Sequence, residues 1–163
     1  MSAVTEAYLA PLLAANPGKP LLVGEDNPYG ADPYYALYPL PRNASGHRLC
    51  KLVLGLEMTQ YLRRYVRVNL CDAKWSKRAA QTRAAEILTL LCQPGQQRPL
   101  VLLSAKVGAA FCGAHEPFSR RCTPGTPSFE IVQLPHPSGL CRAWAEPGAY
   151  ERARAVLRDA GAL

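Results

Sequence analysis

The chain of 163 residues lacks the features that mark several common classes of protein. No window of about 18 apolar residues occurs, so no segment is predicted to span a membrane. The first residues read MSAVTEAYLAPLL, with a glutamate, an early proline and no basic region, which is not typical of a signal peptide. We therefore expect a cytoplasmic protein.

Cysteine pairs at metal-binding spacing are also absent. The six cysteines include no CxxC, and the cytoplasm keeps thiols reduced, so we expect neither disulfides nor the usual zinc and iron–sulfur sites. The nearest approach is CGAHEPFSRRC, which contains Cys112, His115 and Cys122. Its irregular spacing lacks a fourth ligand, so we favour an ordinary loop without a metal. No Gly-rich phosphate loop occurs, and we expect no cofactor.

Acidic residues are scarce relative to basic ones. Twelve Asp and Glu stand against 19 Lys and Arg, which gives a net charge of +7 and a pI near 9.3. An excess of this size suits a polyanionic partner such as nucleic acid, although it also serves as simple solubility charge. The hydrophobic fraction of 48% is typical of globular proteins. We expect a monomer with a single domain, residues 1–163.

Four short apolar runs alternate with helical patterns. The runs are Leu21–Gly24, Val66–Cys71, Leu100–Ser104 and Glu130–Leu134, each nearly continuous in Val, Leu and Ile, as in parallel strands covered on both faces. The helical patterns cover Arg48–Arg64, Trp75–Leu91, Val107–Cys112 and Pro147–Ala160. This alternation predicts an α/β fold, a three-layer α/β/α domain with a central, mostly parallel four-stranded sheet.

In such sheets the working residues lie beyond the carboxyl ends of the strands. That rule indicates four segments, 25–30, 69–75, 104–108 and 136–142. The segment 31–46, rich in tyrosine and proline, contains no obvious helix or strand, and a loop of that length in a compact domain favours a functional role.

Two polar segments at strand ends carry the strongest signal. GEDNPYG follows the first predicted strand, and HPSGLCR, residues 136–142, follows the last. Together they resemble the paired motifs of the uracil-DNA glycosylase superfamily. In that superfamily a Gly-x-Asp/Asn-Pro signature holds the attacking water, and a His/Asn-Pro-Ser motif contacts the base and enters the DNA. The continuation Gly-Leu-x-Arg is similar to the mismatch-specific uracil/thymine glycosylases.

The resemblance extends to the middle of the chain. Asn69, in VNLC, corresponds to an asparagine that faces the base, and Tyr38 to the aromatic residue that stacks on it. The chemistry suits these residue types. Flipping a nucleotide costs a few kcal/mol, of which stacking on an aromatic ring recovers about 1–3 kcal/mol, and an asparagine amide both donates to and accepts from a pyrimidine edge. The alternatives are a tyrosine that only packs the loop and an asparagine that caps its strand.

The second motif implies roles in catalysis and in DNA binding. His136 is suited to donate a hydrogen bond to the oxyanion that develops on the departing base, an effect worth about 3–4 kcal/mol. Ser138 is expected to bind a phosphate. Gly139 and Leu140 would enter the duplex, with Leu140 as a wedge, and Arg142 would contact the widowed base or a phosphate. Without the resemblance, Leu140 would be an ordinary, partly buried leucine.

The first motif departs from the superfamily pattern by one inserted residue. Counting forward from Gly24 puts Asp26 in the water-activating position, whereas counting back from Pro28 puts Asn27 there. Aspartate acts as a base and stabilises a cationic sugar, whereas asparagine only orients the water. Both remain candidates for this catalytic role.

The insertion also bears on the substrate pocket, to which Glu25 and Tyr29 are assigned. If Tyr29 keeps its superfamily position it excludes 5-substituted pyrimidines. If the extra residue displaces it, such bases enter.

These observations predict a monofunctional DNA glycosylase that acts on single- or double-stranded DNA and leaves an abasic site. No lysine lies in either motif, so a Schiff-base lyase step is not indicated. The substrate is uracil or a 5-modified pyrimidine, such as the glucosylated hydroxymethylcytosine of phage DNA, which implies DNA repair or antiviral defence. The alternatives are a catalytically inactive DNA- or nucleotide-binding module of the same fold, and a small-molecule enzyme.

Overall fold

A computed structural model describes residues 5–27, 30, 32–111, 113, 116–123 and 128–163. Five strands form one sheet in the order β2-β1-β3-β5-β4. The strands are β1 (Leu21–Gly24), β2 (Val66–Asn69), β3 (Leu100–Leu103), β4 (Ser119–Cys122) and β5 (Glu130–Leu134). The pairs β1–β2, β1–β3 and β3–β5 are parallel, and β4 runs antiparallel to β5 at the edge. The predicted α/β class is confirmed, but the sheet has five strands instead of four.

The unpredicted strand β4 has the sequence SRRC, which contains no apolar run. Its residues alternate between half-buried and exposed positions, with Arg120 and Cys122 on the exposed side. Short, charged edge strands of this kind discourage pairing with other chains. Because β4 lies at the edge of the sheet and buries little apolar surface, its sequence carries no pattern that predicts a buried strand.

Helices occupy the connections between the strands. A π-helical turn, Thr5–Leu9, leads into α1 (Ala10–Ala14), and neither was predicted. The other helices are α2 (Ser45–Arg48), which continues as a π-helical turn over Leu49–Val53, then α3 (Met58–Arg64), α4 (Lys77–Leu91), α5 (Ala105–Ala110) and α6 (Ala149–Asp159). Short 3-10 turns cover Pro33–Tyr35 and Arg142–Ala145.

The predicted helix Arg48–Arg64 is wrong as a single element. Gly55 has a φ of +67°, a left-handed conformation that ends the first helical piece. Glu57 then starts α3 through a capping box with Gln60, in which each side chain bonds the other residue's backbone N–H. The apolar periodicity continues across the break, which is why the sequence indicated one helix.

Alternate residues of each central strand enter opposite hydrophobic cores. On β1, Leu21 and Val23 pack with residues of the N-terminal helical segment, α4 and α5, such as Ile87. Leu22 points to the other face and packs with residues of α3 and α6, such as Tyr61 and Leu157. Both faces of the sheet are therefore covered by helices, which gives three layers and explains why β1 and β3 contain no polar side chain. No helix within the described part of the chain is long and apolar enough to cross a membrane.

The strand order fixes where a site forms. After β1 the chain adds β2 on one side, and then crosses back to add β3 on the other side of β1. At such a switch point the connections diverge and leave a crevice beyond the carboxyl ends of the strands. The segments that follow β1, β2 and β5 border this crevice.

The residue after β3, Ser104, has a strained backbone. Its φ of 134° and ψ of 160° lie in a region that is essentially restricted to glycine. The buried Ser104 hydroxyl accepts a hydrogen bond of 3.2 Å from the Val107 N–H and so caps α5. The cap helps to hold a conformation that costs about 1–3 kcal/mol.

We predict opposite effects for two replacements of Ser104. Ser104→Ala loses the cap and keeps the strain, so the free energy of unfolding should fall by about 1 kcal/mol. Ser104→Gly relieves the strain and should leave the protein as stable as the wild type or up to about 1 kcal/mol more stable. Urea denaturation of the three proteins measures this order. If Ser104→Gly were the least stable, the backbone would not be strained.

Candidate functional site

A cavity of about 260 Å³ opens at the carboxyl ends of β1, β2 and β5. This volume is close to the lower end of the range for ligand sites, roughly 300–1,000 Å³. Seven predicted site residues line it: Glu25, Asp26, Asn27, Tyr38, Asn69, His136 and Ser138. The rest of its wall comes from the loop before α2 and from the start of α2: Tyr35, Leu37, Asn43, Ala44, Ser45 and Gly46.

Glu25 is held by a lysine that the sequence analysis did not single out. The Glu25 side chain is 14% exposed, and its Oε2 lies 3.1 Å from Nζ of Lys106. The Lys106 ammonium also lies 5.7 Å from the centre of the Trp75 ring. Lys106 belongs to the strand-end segment 104–108, so the strand-end rule gave the right region but no reason to choose this residue.

Asp26 and Asn27, the two candidates for holding the water, have different surroundings. Oδ2 of Asp26 accepts a hydrogen bond of 3.0 Å from the Trp75 N–H. Nδ2 of the buried Asn27 donates a hydrogen bond of 3.1 Å to the Asp32 carbonyl oxygen. The Asp26 carboxylate is only half-buried, and no described residue bonds its Oδ1. Asp26 therefore has an oxygen available to a ligand in the cavity.

The His136 ring is fixed in one orientation. Its Nδ1 accepts a hydrogen bond of 3.2 Å from the Ser138 N–H, and its carbonyl oxygen accepts one of 2.8 Å from Nε1 of Trp144. The acceptor role of Nδ1 assigns the proton of the neutral ring to Nε2. Burial lowers the pKa of His136 below its ordinary value of 6.5, against the opposing effect of Glu25. His136 is thus a neutral hydrogen-bond donor near pH 7.

Asn69 presents a buried polar atom without a partner. The residue is 6% exposed, and its Oδ1 has no hydrogen bond within the described residues. Leaving such an atom unpaired costs about 1–3 kcal/mol. Asn69 pairs in register with Gly24, where a Cβ atom would stand 2.3 Å from Oδ1 of Asn69. Gly24 is therefore required for the amide to lie where it does.

Three tyrosines cluster at the cavity, and two of them, Tyr35 and Tyr38, line it. The rings of Tyr34, Tyr35 and Tyr38 lie with their centres 5.3–5.5 Å apart. The buried guanidinium of Arg67 on β2 lies 5.6 Å from the centre of the Tyr38 ring, and its Nη1 donates to the Ala36 carbonyl oxygen at 3.0 Å. A hydrogen bond with Tyr34 raises the pKa of Tyr38. Arg67, which the sequence analysis missed, holds this aromatic group against the sheet.

The second motif divides between the cavity and the surface beside it. Ser138 contributes to the cavity wall, whereas Gly139, Leu140 and Arg142 do not. Leu140 is 94% exposed, so the alternative of a partly buried leucine is wrong. Arg142 is exposed at the start of its 3-10 turn. An exposed leucine and an arginine therefore lie on the turn that leaves the cavity.

Some predictions concern positions outside the described residues. Pro28 and Tyr29 are among them, and so is the expectation that Tyr29 controls entry of 5-substituted pyrimidines. Cys112 and His115 are also outside, whereas Cys122 is exposed on β4. Over the parts of the chain that are described, no group of three or more His, Cys, Asp or Glu side chains is arranged to hold a metal.

Comparison with known proteins adds no relative. No protein-family model matches the chain, and no curated protein matches its sequence. The resemblance to the uracil-DNA glycosylase superfamily therefore rests on the motif residues named above. Any function has to be inferred from the chemistry of the cavity and its rim.

We predict that Gly24→Ala disturbs Asn69. The new methyl group would stand 2.3 Å from Oδ1 of Asn69 and 3.0 Å from Cδ2 of Leu37, so the free energy of unfolding should fall by about 1–3 kcal/mol. In an Asn69→Ala background the same replacement should cost much less, because the smaller side chain leaves room. Thermal or urea denaturation of the four proteins measures the coupling. An equal cost in both backgrounds would mean that this close approach is not the constraint.

We predict that the His136 ring titrates below pH 6.5 in an NMR titration of the folded protein. As the pH falls, His136 is protonated first in the unfolded chain, because its pKa there is higher than in the folded protein. The free energy of unfolding should therefore decrease as the pH falls from 6.5 towards the lower pKa of the folded protein. His136→Gln should reduce that dependence. Glu25→Gln should lower the titration midpoint further and Lys106→Met should raise it, because the first charge raises and the second lowers the pKa of His136. A midpoint at or above 6.5 would contradict this account of the ring.

Proposed function

We propose that the protein is a monofunctional DNA glycosylase, which turns a pyrimidine nucleotide out of DNA, hydrolyses its N-glycosidic bond with water and leaves an abasic site. One observation carries the proposal. A single cavity at the strand ends joins a carboxylate with an available oxygen, a neutral histidine donor and the amide of Asn69, and an exposed leucine lies on the adjoining turn.

The cavity offers a flipped base both stacking and a hydrogen-bonded edge. The rings of Tyr35 and Tyr38 line it, and stacking on an aromatic ring contributes about 1–3 kcal/mol per base. The amide of Asn69 lines the cavity and would form a hydrogen bond with the edge of a pyrimidine.

The geometry favours Asp26 as the residue that holds the water. The bond from the Trp75 N–H fixes one carboxylate oxygen, and the other is available for the water. A carboxylate there accepts a proton from the water and stabilises the oxocarbenium-like sugar as the bond breaks. Asn27 lies beside it with its amide nitrogen engaged by the Asp32 carbonyl oxygen, and it supports the floor of the site.

His136 would stabilise the departing base. Its Nε2–H is the free donor of the neutral ring, and the base gains negative charge as it leaves. A preorganised donor aimed at such a charge contributes about 3–4 kcal/mol to the transition state. The bond from the Ser138 N–H holds the ring in place before the substrate arrives, so no reorganisation is needed during the reaction.

The turn that follows His136 would engage the DNA. Leu140, almost fully exposed, would fill the space left by the flipped nucleotide, as intercalating side chains do. Gly139 and Arg142 flank it on the surface, and Ser138 lies where a phosphate would meet the cavity. The net charge of +7 favours approach to DNA.

The proposed substrates are uracil and 5-modified pyrimidines, including glucosylated hydroxymethylcytosine, in the settings of DNA repair or antiviral defence. We infer action in the cytoplasm, in keeping with the free thiols of Cys50 and Cys71. Water is the proposed nucleophile, because Lys106 is engaged with Glu25 and is not part of the cavity wall.

The test is incubation of the protein with single- and double-stranded oligonucleotides that carry uracil, mismatches or 5-modified cytosines, followed by alkali. Strand breaks at the modified position and identification of the released base would support the proposal. Binding without breaks across the whole set would overturn it and favour an inactive DNA-binding module.

We predict a graded loss of single-turnover rate in cavity variants. Asp26→Asn should lower the rate by at least about 100-fold, because it removes the base, and Asn27→Ala should lower it less. His136→Ala should slow the reaction by about 100- to 1,000-fold while changing the Kd for DNA little. Glu151→Gln, an exposed acid on α6, is the matched control and should keep the full rate. Full rate in both motif-one variants, or a binding defect without a rate defect in His136→Ala, would contradict these roles.

A further inference from the structure

Arg48 is a cation for which the described residues supply no counter-charge. It is the last residue of α2 and is half-buried. Among the described residues it makes no ion pair and no side-chain hydrogen bond. Lys51, one turn further along, is paired with Glu57 at 2.7 Å. Its nitrogen atoms are not among the buried, unbonded atoms, so the guanidinium remains accessible to an anion.

The guanidinium lies against the turn of the second motif. Its Nη1 and Cζ stand 3.5 and 3.6 Å from the position that a Cβ atom of Gly139 would take. Gly139 directly follows Ser138, which lines the cavity, and Ser45, at the start of the same helix as Arg48, also lines it. Arg48 is therefore at the rim, where two segments of the cavity wall meet. These are van der Waals distances, so the guanidinium lies directly against the turn.

We propose that Arg48 binds a DNA phosphate next to the flipped nucleotide; this rests on the proposed function. A guanidinium presents its N–H groups as a fork that matches two phosphate oxygens. The neighbouring Ser138 hydroxyl is a further donor to the same group, and the exposed Leu140 follows on the same turn. The phosphate would be anchored at the rim while its base lies in the cavity.

A purely structural role for Arg48, as packing over Gly139, makes a different prediction. Packing depends on the aliphatic stem and the shape of the side chain, whereas phosphate binding depends on charge and therefore on salt. Arg48→Met keeps most of the stem and removes the charge, and Arg48→Lys keeps the charge and removes the fork. The matched control is Arg63→Met on α3. Arg63 is an exposed arginine that shares a surface with Lys19, which precedes β1, so it lies at the opposite, amino ends of the strands.

The experiment measures the Kd of each full-length protein for a short duplex that carries a tetrahydrofuran abasic site, by fluorescence anisotropy over a series of salt concentrations. This probe needs no cleavage. Arg48→Met should weaken binding roughly tenfold at low salt and reduce the slope of log Kd against log salt by about 0.9, the effect of one phosphate contact. Arg48→Lys should keep the slope and bind several-fold more weakly. Arg63→Met should match the wild type.

Failure of this inference is distinct from failure of the proposed function. If Arg48→Met kept the wild-type slope, or lost the same affinity at every salt concentration, Arg48 would be a packing residue and the inference would be wrong. Wild-type binding with the expected Arg48 effect, but with no base released from any oligonucleotide, would overturn the glycosylase and leave the phosphate contact. Absence of wild-type binding would overturn both.

Discussion

The parallel register between β1 and β2 is the constraint on which the site depends. It sets Gly24 beside Asn69, and only a residue without a side chain tolerates the amide at that distance. The pairing continues beyond the strands, since the Leu70 N–H donates to the Gly24 carbonyl oxygen and the Cys71 N–H donates to that of Glu25. The backbone of the first motif is therefore an extension of the sheet, and its side chains inherit the rigidity of the sheet.

Three consecutive polar residues then separate into three environments. Glu25 is held from the segment after β3, Asp26 from the segment after β2, and Asn27 from the loop that follows β1 itself. This division gives the inserted residue of the motif a physical meaning. Each side chain is fixed by a different part of the chain, so one more polar residue is accommodated without competition for the same partner.

The charges of Glu25, Asp26 and Lys106 also influence the protonation state of His136. Burial is the largest influence on its pKa and favours the neutral ring, while Glu25 and Asp26 oppose it and Lys106 reinforces it. The ion pair between Glu25 and Lys106 thus moderates the field of the acids at the ring. In the proposed glycosylase reaction, a donor that stays neutral beside two carboxylates would be free to bond the departing base, whereas a charged ring would be drawn to the acids.

Sequence reasoning was most successful where burial is uniform along the chain. The strands Leu21–Gly24 and Glu130–Leu134 have the predicted bounds, because strands covered on both faces are built mostly from Val, Leu and Ile. The edge strand Ser119–Cys122 buries little and left no such pattern. The strand-end rule and the two motifs found six of the thirteen residues of the cavity wall, and the resemblance added Tyr38. Arg48 and Arg67 could not be found in this way, because their roles come from contacts with residues distant in sequence.

Arg67 has such contacts with residues distant in sequence, and these contacts hold one wall of the cavity in place. It is a buried cation on a central strand, it has no acidic partner within the described residues, and its Nε is unbonded. That donor alone costs about 1–3 kcal/mol. The rings of Tyr34, Tyr38 and Tyr61 lie 5.6–6.0 Å from the guanidinium, and each such contact contributes about 0.5–2 kcal/mol, which offsets the cost.

Contacts with Arg67 and Tyr61 also order the loop between β1 and α2, which has no apolar run of its own. Tyr61 is fully buried, and its hydroxyl donates to the Leu37 carbonyl oxygen at 2.9 Å, while Arg67 donates to that of Ala36. Two consecutive carbonyl groups of the loop thus accept hydrogen bonds from buried side chains. These bonds hold the ring of Tyr38 at the cavity before any ligand binds. An aromatic face that is already in place loses less conformational entropy when a base stacks on it. The buried charge therefore stabilises the loop and preorganises the site through one set of contacts.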